Sequence, residues 1–147
     1  MTTHFERPVR IRFSHCDPAG IVFFPQYLVV TNALVEDWFN EGLHVDYAQM
    51  IGQRRLGLPI VKLDCEFSRP SQMGETIMLT LTVAAIGRRS ITIDILGHCN
   101  GEARFRAKQV LVTTSLESGR SIDIPTDIAG SLAKFAPQPE LSEAQRT

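Results

Sequence analysis

The sequence predicts an α+β protein, a curved antiparallel sheet wrapped around one long buried helix. Three observations predict it. First, residues 27–41 (YLVVTNALVEDWFNE) set Leu28, Thr31, Leu34, Val35, Trp38 and Phe39 at helical spacing, while Val29, Val30 and Ala33 fill much of the remaining circumference. A helix apolar on most sides calls for burial on most sides. Second, from residue 58 to residue 114 the pattern changes to strands, most clearly with period two at 76–86, and the connections carry hairpin signals. Third, one sheet covers only one side of such a helix. The sheet is therefore expected to curve, and a second subunit to cover the rest.

The elements follow in order. Val9, Ile11 and Phe13 alternate with Arg10, Arg12 and Ser14, which predicts a half-buried first strand. If its register continued, His15 and Asp17 would lie on the apolar side. Pro18 and Gly20 break it, because proline removes a donor and glycine accepts positive φ. Pro25 suits the first helical position, and Gly42 suits the helix stop. Residues 44–57 read as a polar connection with one short helical turn. Strands follow at 58–68, at 76–86 and around Ile91, Ile93 and Ile95. Gly87, Arg88 and Arg89 separate the last two. Asn100-Gly101 is a two-residue hairpin turn, since both positions tolerate positive φ. A long strand follows at 103–114. Its apolar parity shifts between Phe105 and Val110, which predicts a bulge. Ser118-Gly119 turns the chain. Pro125 opens a short helix over 126–135, with Ile128, Leu132 and Phe135 as its buried stripe. Residues 1–137 read as one domain, and 138–147 as a polar tail expected to be disordered.

Composition limits the partners. Fifteen basic and sixteen acidic residues among 147 give a net charge of −1. No overall basic field favours nucleic acid, so any anion site is local. Cys16, Cys65 and Cys99 are odd in number and lack paired or zinc-ligand spacing, which points to reduced thiols and no metal. Asp17 beside Cys16 disfavours a thiolate there, so Cys16 is not a candidate nucleophile. The stretch MTTHFERPVR has no apolar signal core, and no run reaches membrane-spanning length. A cytoplasmic protein without membrane partners is expected.

One stretch carries more than fold. HCDPAGIVFFPQY, residues 15–27, puts a carboxylate where the first strand ends and the buried helix begins. Placed between strand and helix, it resembles the signature of the hotdog-fold acyl-CoA thioesterases, closest to the 4-hydroxybenzoyl-CoA thioesterase-like group. That core, D-P/A-A/G-G-x-V-x-x-x-x-Y, reads here as Asp17 through Tyr27. The likeness continues through PIVKLDCEFSRP, GRRSITI and GRSIDIP and covers roughly residues 8–135. The resemblance implies a hotdog homodimer, often paired into a dimer of dimers, with active sites between subunits. It implies an acyl-CoA substrate and no cofactor. It matches the catalytic carboxylate to Asp17 and the backbone N–H that holds the thioester carbonyl to Phe24. CoA phosphate contacts match Arg88, Arg89 and Arg120. Hydroxybenzoyl-specific members carry an acid at the position of Asn32 and a threonine at that of Leu58. Both differ here, which leaves the acyl group, aromatic or short to medium in chain, open.

The chemistry fits these residue types. A helix N-terminus offers free amides and a positive dipole end to a developing oxyanion. Pro25 has no N–H, so donors come from Phe24 or from residues after Pro25. Asp17 could attack the thioester or activate a water. Phe23 and Phe24 would exclude water, and Tyr27, Leu58 and Pro59 join them as candidate acyl contacts. Asn32 either reads a polar group on the acyl chain or bonds a neighbouring strand. His15 either assists Asp17 or is an ordinary histidine. Arg54 and Arg55 read as solvated charges, and Asp64 and Glu66 as a solvated or subunit-contact face. Two other classes fit the same fold: a dehydratase or hydratase that pairs His15 with Asp17, and a non-catalytic acyl-CoA-binding module.

Overall fold

The computed structural model describes residues 3–137; the expected tail at 138–147 lies outside them. Strands β1 (Phe5–Arg10), β3 (Ile60–Phe67), β4 (Thr76–Ile86), β5 (Ser90–Cys99) and β6 (Glu102–Val112) form one antiparallel sheet in the order β1-β4-β5-β6-β3. Two-residue strands β2 (Leu56–Gly57) and β7 (Thr114–Ser115) pair separately. Helix α1 (Pro25–Asp37) lies on the sheet. Two short helices are α2 (Tyr47–Gly52) and α3 (Thr126–Leu132). The predicted α+β architecture is the observed one.

Period two explains the sheet. Ile77, Leu79, Leu81 and Val83 of β4 are buried, as are Ile91, Ile93 and Ile95 of β5. They meet Leu34, Val35, Trp38 and Phe39 of the helical segment in one core. Asn100 and Gly101 both take positive φ, 52° and 77°, as the hairpin requires.

Three details differ from the sequence reading. The first strand begins at Phe5 and ends at Arg10, and residues 13–15 make a single 3₁₀ turn. Strand alternation therefore does not carry His15 and Asp17, and Phe13 is exposed. The helix does not stop at Gly42 but runs through a π turn over Trp38–Gly42, with Leu43 N–H donating to Trp38 O. The left-handed residue that ends it is His44, φ 57°. Gly42 instead allows a close approach: a Cβ there would lie 2.7 Å from a Trp38 ring carbon. The parity shift in β6 is not a bulge between Phe105 and Val110. Phe105, Ala107, Gln109 and Leu111 all face inward, and Gln109 is a polar residue in an apolar row. The irregularity lies at Arg104, where Gly97 and His98 pair with Phe105 and Ala103.

As the sequence leads one to expect, the described residues of the chain do not cover the helix on all sides. Val29, Asn32 and Ala33 are exposed. Among the described residues, strand β3 is an uncovered sheet edge along which Ile60, Val61, Leu63 and Phe67 are each at least 40% exposed. No helix among the described residues is long and apolar enough to cross a membrane.

Candidate functional site

Residues 15–23 fold back on themselves. Phe23 N–H donates to His15 O at 2.9 Å, and Asp17 N–H to Ile21 O at 3.0 Å. Gly20 closes the tip with a bond to Asp17 O and φ 79°, a conformation that a Cβ would strain. Ala19 N–H donates to Asp17 Oδ1 at 2.8 Å, fixing one carboxylate oxygen. No hydrogen bond among the described residues uses the other.

The loop is held from below. Val22 N–H donates to Ser71 O and Met73 N–H to Gly20 O. Segment 68–75 is in turn anchored by Arg104, which grips both oxygens of Glu75 at 2.8 and 2.9 Å and donates to Pro70 O. The Arg104 guanidinium, with help from Gln72 N–H, holds the Glu75 carboxyl down at about 2. Tyr27 ties the helix to the same segment through Ser71 Oγ at 2.8 Å, and burial pushes its phenol pKa up.

The first helical turn is nearly exhausted as a donor. Gln26 N–H donates to Phe23 O and Tyr27 N–H to Phe24 O, Phe23 N–H is taken by His15 O, and Pro25 has none. Phe24 N–H is the remaining amide without an acceptor among the described residues. Beside it lies a cleft of about 250 Å³ lined by Val22, Phe24, Tyr27, Phe67, Arg69 and Pro70. Tyr27 stacks between Phe67 and Phe105, with centroids at 5.6 and 4.4 Å. Phe23 packs beside Phe24 at 5.7 Å.

His15 turns to its own backbone: Nδ1 accepts from Arg12 N–H at 2.9 Å, and the ring makes no hydrogen bond to Asp17. It lines a separate groove with Arg10, Arg12, Val29 and Val30. Asn32 sits on the exposed helix face. The buried polar helix residue is Thr31, which accepts from Gln109 Nε2 at 3.3 Å. Leu58 and Pro59 lie between β2 and β3, outside the cleft.

The arginines gather elsewhere. Arg88 and Arg89, in the β4–β5 turn, both bind Asp123. Segment 120–124 runs alongside, with Ser115 N–H donating to Arg120 O and Ile124 N–H to Arg88 O. This cluster stands at the Ile86 end of β4. The Asp17 loop bridges Gln72, just before the Thr76 end. Eleven residues of β4 separate the two, roughly 35 Å at ~3.3 Å per residue. Arg54 and Arg55 are not free charges but pair with Asp127 and Glu117, tying α2 to the C-terminal segments. Asp64, Glu66, Asp94, Arg106 and Lys108 line a hollow of alternating charge on the outer sheet face, which offers no apolar wall.

Sequence reading misses Ser71, Arg104, Glu75, Phe67 and Asp123. Each acts through a partner distant in sequence.

Comparison with known proteins agrees with this architecture. The 1,4-dihydroxy-2-naphthoyl-CoA hydrolase of Synechocystis is 28% identical over 93 residues, 63% of this chain and 65% of that protein. The match thus spans just under two-thirds of the relative. The crystal structure of a Synechocystis 1,4-dihydroxy-2-naphthoyl-CoA thioesterase superposes with a TM-score of 0.81 at 20% identity, covering 89% of this chain and 96% of that one. A 4-hydroxybenzoyl-CoA thioesterase variant, solved with 4-hydroxybenzoyl-CoA, gives 0.77 at 22% identity over 87% and 97%. The fold is that of the hotdog thioesterases. The family model described as the thioesterase-like superfamily matches residues 11–132, and the chain belongs to that superfamily.

Proposed function

We propose that this protein is an acyl-CoA thioesterase that hydrolyses an aromatic acyl-CoA to the free acid and CoA. The observation that supports it is a tight loop, holding an acid with a free carboxylate oxygen, that leads directly into a helix N-terminus whose Phe24 amide has no acceptor among the described residues. The thioester oxygen is held by Phe24 N–H, where negative charge developing on it is stabilised by a few kcal/mol. Asp17 then either attacks the carbonyl carbon, giving a mixed anhydride that water hydrolyses, or takes a proton from the attacking water. In both routes the C–S bond breaks and CoA leaves as the thiolate. Phe24, Tyr27 and Phe67 form an aromatic wall, in keeping with the aryl groups in the names of the relatives.

The site is completed across a homodimer. Roughly 35 Å along β4 is too far for one chain's acid loop and arginines to share a substrate. Antiparallel pairing of the β3 edges covers their apolar side chains and the unpaired backbone. It sets the Ile60 end of one chain, where the arginines lie, beside the Phe67 end of the other, where Asp17 lies. Arg88, Arg89 and Arg120 of one subunit then hold the phosphates of a CoA whose thioester reaches Asp17 of the other. The exposed face of α1 is available to pair such dimers into a tetramer. Leu58 and Pro59, beside the β3 edge, reach the acyl group only across this interface, and Asn32 only from the open helix face. His15 orients its own turn, which disfavours a dehydratase built on a His15–Asp17 pair.

The test is free-thiol release from a panel of aromatic and aliphatic acyl-CoAs, with wild type and Asp17→Asn side by side. Turnover is expected to be greatest on aromatic thioesters and to fall by at least about 10²-fold in the variant. Binding without turnover on any thioester would favour a binding module. Activity that survives the substitution would place catalysis elsewhere.

A further inference from the structure

The arginine cluster contains a residue that the substrate reading does not use. Arg88 and Arg89 are neighbours in a hairpin turn, with like charges that repel. Asp123 lies between them. Arg88 Nε reaches both Asp123 oxygens at 3.1 Å, and Arg89 Nε reaches Oδ1 at 2.8 Å. The acid is rigidly mounted. On one side Ile122 N–H donates to Thr113 O at 2.8 Å, and on the other Ile124 N–H donates to Arg88 O at 3.0 Å. Thr113 N–H closes the ring with a bond to Arg89 O at 2.9 Å. Both arginines thus spend Nε on Asp123 and keep terminal nitrogens for something else. Among the described residues, only Arg89 Nη1 has a further contact, a long one of 3.4 Å to Ser121 Oγ.

The three side chains are about half exposed or more. Surface ion pairs of this kind add little to folding. The geometry instead suits recognition: two guanidinium forks share one carboxylate through Nε, which leaves their terminal nitrogens for an anion with several oxygens.

We propose that Asp123 is a positioning residue that aligns Arg88 and Arg89 as a paired clamp for the nucleotide phosphates of CoA. This rests on the assignment of the arginines to those phosphates. The sign of the effect separates the proposal from simple electrostatics. Asp123 is an anion in an anion site, so Coulomb repulsion alone predicts that removing it tightens CoA binding. Alignment predicts the reverse, because two long side chains must then be ordered by the ligand itself.

The experiment is calorimetric binding of CoA, which needs no turnover, to wild type, Asp123→Asn, Asp123→Glu and Arg88→Ala. Asp123→Asn is expected to weaken binding about five- to tenfold, with an unchanged melting temperature, and Asp123→Glu to recover most of the loss. N-acetylcysteamine thioesters, which lack the nucleotide, are expected to be hydrolysed by Asp123→Asn as by wild type. Unchanged or tighter CoA binding in Asp123→Asn, while Arg88→Ala weakens it, would overturn the positioning role alone. Unchanged binding in Arg88→Ala would overturn the phosphate assignment and the proposal with it.

Discussion

Arg104→Ala tests how the Asp17 loop is supported. Arg104 is 9% exposed at the side chain and Glu75 29%. The guanidinium makes two bonds to Glu75 and one to Pro70 O, and stands 2.9 Å from the Glu102 carboxylate. Glu75 is drawn from 4.5 to about 2. At ~1.4 kcal/mol per pKa unit that displacement, to which Gln72 N–H and Cys99 also contribute, sets an upper value of about 3 kcal/mol for Arg104, near the cost of breaking a buried pair by removing one partner. In a chain of this size about 3 kcal/mol lowers the melting temperature by about 10 °C. The pH dependence identifies the cause. A carboxylate whose folded pKa is depressed stabilises the protein above its unfolded pKa and loses that contribution as pH falls through the folded value. Urea unfolding should therefore show a gap between wild type and Arg104→Ala of about 3 kcal/mol at pH 7, shrinking to about 1 kcal/mol at pH 3. A gap independent of pH, or one below about 1 kcal/mol at pH 7, would refute the linkage.

Two further variants separate fold from assembly. Gly42→Ala pushes a Cβ into Trp38, Phe5 and Phe135 and should cost about 2 kcal/mol as overpacking, read as a lower urea midpoint; an unchanged midpoint would mean that the Trp38 ring moves freely. Val61→Lys with Leu63→Lys places two charges on the β3 edge. Sedimentation should then give monomer, with thiol release lost and the far-ultraviolet spectrum kept; an intact dimer would exclude that edge as the interface.

Much of this fold is legible in the sequence because one physical rule acts at a time. Along β4 and β5 the period-two pattern meets one buried face, and Asn100-Gly101 allows only one kind of turn. The long helix is legible for the same reason, and so is its need for cover beyond one sheet: Val29, Asn32 and Ala33 are left exposed. Reading fails where two rules compete. Gln109 occupies an inward position because Thr31 faces it, and this imitates a bulge. Gly42 is a glycine for Trp38 rather than for backbone freedom. The Asp17 motif is legible because the acid, the turn glycine and the helix proline are contiguous. Its supports are not, since Arg104, Glu75 and Ser71 meet only through the sheet. Asp123 is invisible until its two arginines are seen to share it.

The central claim, an active site divided between two subunits, is tested most directly by complementation. Asp17→Asn and Arg88→Ala/Arg89→Ala chains are each assayed alone at low acyl-CoA concentration, then mixed under subunit exchange. If the acid of one chain works with the arginines of its partner, half of the dimers are hybrids with one intact site, and activity returns to about a quarter of the wild-type level. If each chain used its own arginines, no hybrid would hold an intact site, and a mixture no more active than its parents would contradict the account.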